Sequence, residues 1–225
     1  MELMAVLAIV GILAAVLLPT LSAGKRRAER ATCGSNLGQI DKALLMYASD
    51  NADFLRAAAK DFHIYFTYKR ALGGYLGRTG TQTNDPLFAC PADDFDCTID
   101  PIEDFFEHKV AGKGFYRLRQ TEHASYLFNG EAASPADGRA TATKLGSVAE
   151  PSRLVLESEI SGAIGLSAHE RGSGRQFNNA KNMLAFVDGH VDFLPIFWQG
   201  PGAGNGFPVS YNPPAGYGYA WLQGQ

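Results

Sequence analysis

The sequence predicts an α+β fold in which one long N-terminal helix packs on an antiparallel β-sheet. Three observations support this: an uncharged apolar run at the N-terminus, an apolar stripe that continues it at helical spacing, and a hairpin pattern near the C-terminus. The chain divides accordingly into an apolar helix half at residues 1–24, an amphipathic helix half at residues 25–52 and a globular domain at residues 53–225.

Residues 3–24 carry no charge and are mostly aliphatic. A helix rises about 1.5 Å per residue, so this run spans about 30 Å, the thickness of a bilayer's hydrocarbon core. Glu2 precedes the run, and a basic cluster follows it: Lys25, Arg26, Arg27 and Arg30. We expect a single-pass membrane anchor. A cleaved signal peptide is the less favoured alternative, because the apolar run is long and no basic segment precedes it.

Beyond the basic cluster, apolar residues recur at steps of four, three, four and three: Cys33, Leu37, Ile40, Leu44 and Tyr47. This spacing places them on one face of a helix. We therefore predict that a single helix of about 50 residues continues through Pro19, which can kink a helix without ending it. The polar residues 49–51 are its predicted end.

The clearest local pattern is MLAFV-DG-HVDFL, residues 183–194, which predicts a hairpin with a two-residue turn at Asp188 and Gly189. Turn geometry alone explains Asp188. Four apolar residues are then expected on one face: Leu184, Phe186, Val191 and Phe193.

The other predicted elements are weaker. A second helix is expected over residues 57–76, with a strand as the open alternative and Gly73-Gly74 as the stop. Further candidates are short strands at 87–90, 125–128 and 153–158, a short helix at 99–109, and a C-terminal loop at 199–225 pinned by Phe207, Tyr211, Tyr217, Tyr219 and Trp221.

Three cysteines allow one disulfide and one free thiol. Cys33 points towards the domain by its helical periodicity, so we favour a bond between Cys33 and Cys90. A local bond between Cys90 and Cys97 remains open. Zinc is not expected, because neither the cysteine spacing nor the histidine positions form a ligand set.

Composition and motifs argue against several classes of function. The net charge is −3 and the basic residues after the apolar run suit lipid headgroups, so we expect no nucleic-acid partner. The five histidines are scattered and no familiar catalytic motif occurs. Four acids could hold calcium, although a solvated loop explains them more simply: Asp93, Asp94, Asp96 and Asp100. We expect no catalytic site, no metal and no cofactor.

The segment from Glu2 to Ala48 resembles the N-terminal cleavage and methylation segment of type IV pilin-like proteins. More narrowly, the chain is similar to pseudopilin-like proteins with a C-terminal H-X9-DG domain. Shorter pieces follow in that family's order: LFACPADD, ASYLFNGE, EPSRLVLESE and NMLAFVDGHVDFL. Two departures stand out. Met1 directly precedes Glu2, where the family has a basic leader and a processing site, and His169 lies further from Asp188-Gly189 than the family's histidine does.

The resemblance implies a pilin-like subunit in the inner (cytoplasmic) membrane, with its C-terminal domain in the periplasm or outside. Taken alone, the basic cluster would place that domain in the cytoplasm. The implied partners are the membrane, like subunits or other pseudopilins, and a prepilin peptidase if a leader is encoded upstream. Glu2 corresponds to the family's acid that pairs with a neighbouring subunit's N-terminal amine and sets the register of assembly.

We therefore expect a structural subunit of a type II secretion or type IV pilus-like assembly that polymerises through its N-terminal helix. The alternative is a membrane-anchored envelope domain that binds a ligand such as glycan or calcium and does not polymerise. Polymerisation in the presence of a peptidase and an assembly ATPase distinguishes the two.

Overall fold

A computed structural model describes residues 2–55, 68–78, 85–93, 124–129, 144–163, 167–170, 178–198 and 211–223. In this part of the chain a long N-terminal helix packs on a four-stranded antiparallel sheet. The architecture is α+β, which confirms the fold class expected from the sequence.

Helix α1 spans Glu2–Asp50 and contains 49 residues, with Pro19 inside it. Its N-terminal half is exposed: the large apolar side chains from Leu3 to Leu21 are 56–73% accessible. Its C-terminal half buries the residues of the predicted stripe, Cys33, Leu37, Ile40, Leu44 and Tyr47. The periodicity prediction is confirmed, and α1 consists of two halves with different surroundings.

The sheet contains β1 (Tyr126–Phe128), β2 (Val155–Glu159), β3 (Ala180–Phe186) and β4 (Val191–Ile196), in that spatial order. Every neighbouring pair is antiparallel. Two short helices, α2 (Tyr68–Leu72) and α3 (Ile160–Ala163), accompany the sheet. The strand predictions for residues 125–128 and 153–158 are confirmed with shifted ends.

The predicted strand at residues 87–90 is wrong, because a 3-10 helix occupies Pro86–Phe88. The Asp85 side chain accepts a hydrogen bond from the Leu87 backbone N–H at 2.9 Å and caps this turn. A proline at the first position of the turn favours the same conformation. Another 3-10 helix lies at Leu145–Ser147.

The predicted second helix is described only in its last part, as α2, and residues 73–77 form turns as the glycine pair indicated. Residues 57–67 and the helix predicted at 99–109 lie outside the described residues.

The β3–β4 loop has three residues rather than the predicted two. The Phe186 N–H donates to the His190 carbonyl at 3.0 Å, and the Gly189 N–H donates to the Phe186 carbonyl at 2.8 Å. Gly189 has φ of 89°, the left-handed conformation that glycine adopts without steric cost. Val187 therefore belongs to the loop with Asp188 and Gly189.

This extra loop residue shifts the strand register by one. Met183 pairs with Phe193, and Ala185 pairs with Val191. Residues directly opposite each other share a face of the sheet, so Leu184 does not lie on the face of Val191 and Phe193 as predicted. Instead, Met183 and Val191 face α1, where a Cβ atom on Gly34 would lie 2.5 Å from Met183 Cε.

The C-terminal segment, residues 211–223, runs without regular structure beside β2, as the sequence predicted. Tyr219 and Trp221 are buried. The Asn129 side chain donates to the Trp221 carbonyl at 2.8 Å, and the Asn212 side chain accepts from the Trp221 N–H at 2.7 Å. These amide contacts fix the segment, whereas Phe207 lies outside the described residues.

Candidate functional site

The first candidate site is the exposed half of α1. Among the described residues, α1 is the one helix that is long and apolar enough to cross a membrane, and its most apolar window is 0% buried by the rest of the protein. This arrangement is compatible with a single-pass anchor. Glu2 lies in the first turn of α1, at the far end of the exposed half from the domain.

The junction between the exposed and buried halves carries the basic cluster. Lys25 lies 3.7 Å from Glu29, one helical turn away. The Arg30 guanidinium lies 4.8 Å from the centre of the Phe193 ring on β4, close enough for a cation–π contact. The basic residues therefore mark the level at which the domain begins to contact α1.

A disulfide ties the buried half of α1 to the domain. It joins Cys33 on α1 to Cys90, which follows the Pro86–Phe88 turn, across 57 residues of sequence. This is the pairing that the sequence favoured, while Cys97 of the alternative pairing lies outside the described residues. Both cysteines are buried, at 0% and 1% exposure.

Two further polar side chains surround this disulfide. The Glu159 carboxylate, at the end of β2, lies 2.6 Å from His169 Nε2 through Oε1 and 3.4 Å from Cys90 Sγ. His169 Nε2 lies 3.7 Å from the same sulfur. The other Glu159 oxygen accepts a hydrogen bond from the Met183 N–H at 2.9 Å. The side chains of Glu159 and His169 are each only 2% exposed.

The contacts of His169 determine what this cluster can do. Glu159 and Cys90 both approach Nε2, whereas Nδ1 is buried and has no hydrogen-bond partner among the described residues. In a nucleophile–histidine–carboxylate triad, the nucleophile and the carboxylate occupy opposite ring nitrogens. This cluster is therefore not arranged as a triad. Instead, the Glu159 oxygen and the Cys90 sulfur both lie near the same ring nitrogen of His169.

A second polar group lies in the interface between α1 and the sheet. Tyr68 Oη donates to Glu157 Oε1 at 2.7 Å, and both residues are 0% exposed. Burial raises the pKa of Glu157 well above its usual range, although the hydrogen bond from Tyr68 opposes this. Asp41 on α1 is also fully buried, and neither of its oxygens has a hydrogen-bond partner among the described residues. Burial, with the charge of Asp188, raises the pKa of Asp41 to about 8.

The hairpin turn lies next to Asp41. Asp188 Oδ1 accepts from the His190 N–H at 3.2 Å and lies 2.5 Å from His190 Nδ1. Partial burial would raise the pKa of Asp188, but its hydrogen bonds and charge interaction with His190 lower it overall. The His190 ring stacks on Phe186 at 4.2 Å. Asp188 and Gly189 thus occupy the turn positions for which the sequence proposed them.

The sequence did not identify the buried acids or the Glu159–His169 pair. A signal was present, because Glu157 and Glu159 interrupt an apolar strand at a spacing that places both on one face. Of the four acids proposed as a calcium loop, Asp93 is buried and accepts from Ser125 Oγ at 2.7 Å. Asp94, Asp96 and Asp100 lie outside the described residues.

No protein-family model, curated protein or solved structure matches this chain in sequence or fold comparisons.

Proposed function

We propose that this chain is a pseudopilin-like structural subunit of a type II secretion or type IV pilus-like assembly, and that it polymerises through α1. One observation carries the proposal: a single continuous helix has one half buried in its own domain and the other half exposed on every side. The resemblance of residues 2–48 to pilin-like N-termini supports the same function.

The exposure of the N-terminal half of α1 indicates that an apolar environment outside this chain surrounds it. From Leu3 to Leu21 the large apolar side chains point in all directions around α1, and each is more than half exposed. Burying apolar surface is worth about 25 cal/mol per Å², so such a helix is unfavourable in water. Lipid, or a bundle of like helices, would bury these apolar side chains.

Glu2 favours association of α1 with the α1 helices of other subunits. A carboxylate at the end of an apolar helix is costly in a membrane unless it finds a partner. The N-terminal amine of a neighbouring subunit would neutralise it and set the axial register between subunits. Small residues along the same half allow close approach of helices: Ala5, Ala8, Gly11, Ala14 and Ala15.

The proposed location is the inner membrane, with the domain on the periplasmic or outer side. The disulfide between Cys33 and Cys90 supports this side of the membrane, because stable disulfides are typical of oxidising compartments. It also ties α1 to the domain, so a displacement of the helix along a filament axis would carry the domain with it.

The test is assembly of a Glu2→Ala variant. The chain would be expressed with a prepilin leader and processing site in place of Met1, together with a prepilin peptidase and an assembly ATPase. Filaments sheared from the cells would then be separated from membranes. We expect wild-type chains in the sheared fraction, and at least about a tenfold loss for Glu2→Ala, equivalent to 1.4 kcal/mol.

Glu29→Ala is the matched control, because Glu29 is an acid on the same helix beyond the apolar half. It should assemble as the wild type does. Normal co-assembly of Glu2→Ala with wild type would refute the proposed role of Glu2. Wild-type chains that stay in the membrane without forming filaments would favour the anchored, ligand-binding alternative.

A further inference from the structure

We propose that reduction of the Cys33–Cys90 disulfide converts its surroundings into a zinc site with four protein ligands: Cys33, Cys90, Glu159 and His169. The inference does not depend on the proposed role in assembly. It rests on the convergence of one donor atom from each of these buried residues, all within 4.8 Å of one another.

The donor set suits zinc. Two thiolates, an imidazole nitrogen and a carboxylate oxygen are all ligands that Zn²⁺ accepts, and four ligands complete its tetrahedral shell. Thiolates disfavour magnesium and calcium, which prefer oxygen. All four side chains are buried, so a metal bound here would have no open position for substrate and would be structural.

Among Cys90, Glu159 and His169 the distances are close to those that a tetrahedral zinc ion imposes, whereas the Cys33 sulfur must first separate from that of Cys90. Around zinc, adjacent ligand atoms lie about 3.4 to 3.8 Å apart, as follows from bond lengths of about 2.0–2.1 Å to N or O and 2.3 Å to S. Cys90 Sγ already lies 3.4 Å from Glu159 Oε1 and 3.7 Å from His169 Nε2. The Glu159–His169 contact is 2.6 Å and must open by less than about 1 Å.

The ligands are held in place from outside the cluster. The second carboxylate oxygen of Glu159 accepts from the Met183 N–H at 2.9 Å, which orients the first towards Cys90. Ser167 Oγ accepts from the backbone N–H groups of His169 and Glu170 at 3.2 and 3.1 Å, which fixes the loop that carries His169. Such outer contacts orient metal ligands and strengthen binding.

The conversion of the disulfide into a zinc site begins with its reduction. A dithiol reductant transfers two electrons and two protons to the disulfide and becomes a disulfide itself. The two sulfurs separate, and Zn²⁺ displaces their thiol protons to solvent. The proton of His169 moves from Nε2 to Nδ1, which leaves Nε2 and the Glu159 carboxylate available to bind the metal. The bridge between α1 and the domain is then kept in both oxidation states, as a covalent bond or as a metal site.

The experiment uses the full chain in detergent micelles, in a Cys97→Ser background so that the third thiol cannot bind metal. The protein is reduced with a phosphine under anaerobic, metal-free conditions and titrated with Zn²⁺ against a chromophoric chelator. We expect one equivalent of zinc per reduced chain and none per oxidised chain. Co²⁺ should give the visible bands of a tetrahedral site and a thiolate-to-cobalt charge-transfer band.

His169→Ala should weaken zinc binding by about 100-fold or more, whereas His190→Ala, which removes the exposed histidine of the hairpin, should not change it. Glu159→Gln, which keeps the shape of the side chain, should also weaken binding. Circular dichroism of the disulfide-bonded form of each variant verifies its fold. The inference is overturned if the reduced chain binds no zinc, if the oxidised chain binds it equally, or if His169→Ala and His190→Ala behave alike.

Discussion

At the scale of single residues, the interface between α1 and the sheet contains acids where apolar side chains are the norm. Asp41 is fully buried, and burial together with the charge of Asp188 raises its pKa from 3.8 to about 8. The folded chain therefore binds a proton at Asp41 that the unfolded chain releases near pH 4. Linkage then requires that this residue's contribution to stability falls as pH rises from about 4 to about 8 and levels off above that.

Asp41→Asn should remove this pH dependence, because an amide has the same shape and does not ionise. We expect the free energy of unfolding to rise by about 1–3 kcal/mol at pH 8 and to rise clearly less at pH 5. Denaturant unfolding of the full chain in detergent at several pH values measures this. Asp192→Asn, at an exposed acid of β4, should leave the slope unchanged. An equal gain at both pH values would contradict the assignment.

Gly189 is the other residue with a distinct requirement, because its φ of 89° is strained for any side chain. We expect Gly189→Ala to lower the free energy of unfolding by about 1–2 kcal/mol. Gly74→Ala, at a glycine with open space around its Cβ position and no positive φ, is the control and should have a smaller effect. Equal effects of the two variants in denaturant unfolding would argue against the left-handed conformation of Gly189.

At the scale of elements, the disulfide determines how firmly α1 is attached to the domain. It closes a loop of 57 residues, and such a cross-link stabilises the folded state by about 4 kcal/mol through loss of unfolded-state entropy. Cys33 and Cys90 also lie in the core, where the apolar stripe of α1 contacts the residues after Asp85.

Cys33→Ser should therefore cost about 2–4 kcal/mol of unfolding free energy in a metal-free, oxidising buffer, whereas Cys97→Ser should cost little. Denaturant unfolding checks the energies, and mass spectrometry of the unreduced, protease-digested chain identifies the bonded pair. A Cys90–Cys97 peptide, or a larger cost for Cys97→Ser, would contradict the pairing.

Which elements were predictable depends on how local their signals are. The stripe from Cys33 to Tyr47 is periodic within one helix, so the sequence alone located the buried face. The hairpin was located, but an Asp-Gly pair suits both a two-residue turn and a three-residue loop with glycine last. The choice decides the register, and so the faces of Leu184 and Phe186 were assigned wrongly.

The zinc-compatible cluster was not predictable by the same means. Cys90 is 69 residues from Glu159 and 79 from His169, and no local pattern links them. The residues become neighbours because β2 ends beside the loop that carries Cys90. The sequence did show two glutamates, Glu157 and Glu159, in and directly after a predicted apolar strand. A strand pattern does not show which residues from other parts of the chain contact them.

At the scale of the whole molecule, α1 extends about 74 Å, as 49 residues at 1.5 Å each, so its exposed half projects well beyond the domain. One charged residue in the middle of that half should oppose membrane insertion. Leu13→Arg should reduce the carbonate-resistant membrane fraction, because arginine at the centre of a spanning helix costs about 2.5–3.5 kcal/mol.

Met46→Arg is the matched control, since Met46 is 54% exposed and Leu13 is 57% exposed on the same helix. We expect it to leave membrane association unchanged. If both variants remain in the membrane, or both leave it, then the exposed half of α1 is not the anchor.

The measurement that tests the central proposal most directly is site-specific photo-crosslinking within assembled material. A photoreactive residue replaces Leu17 in the exposed half of α1 or Met46 in the domain half, which are 63% and 54% exposed. The proposal predicts subunit-to-subunit adducts from position 17, their loss in Glu2→Ala, and far fewer adducts from position 46. Adducts of position 17 with lipid alone, unchanged by Glu2→Ala, would show that α1 anchors the domain without polymerising it.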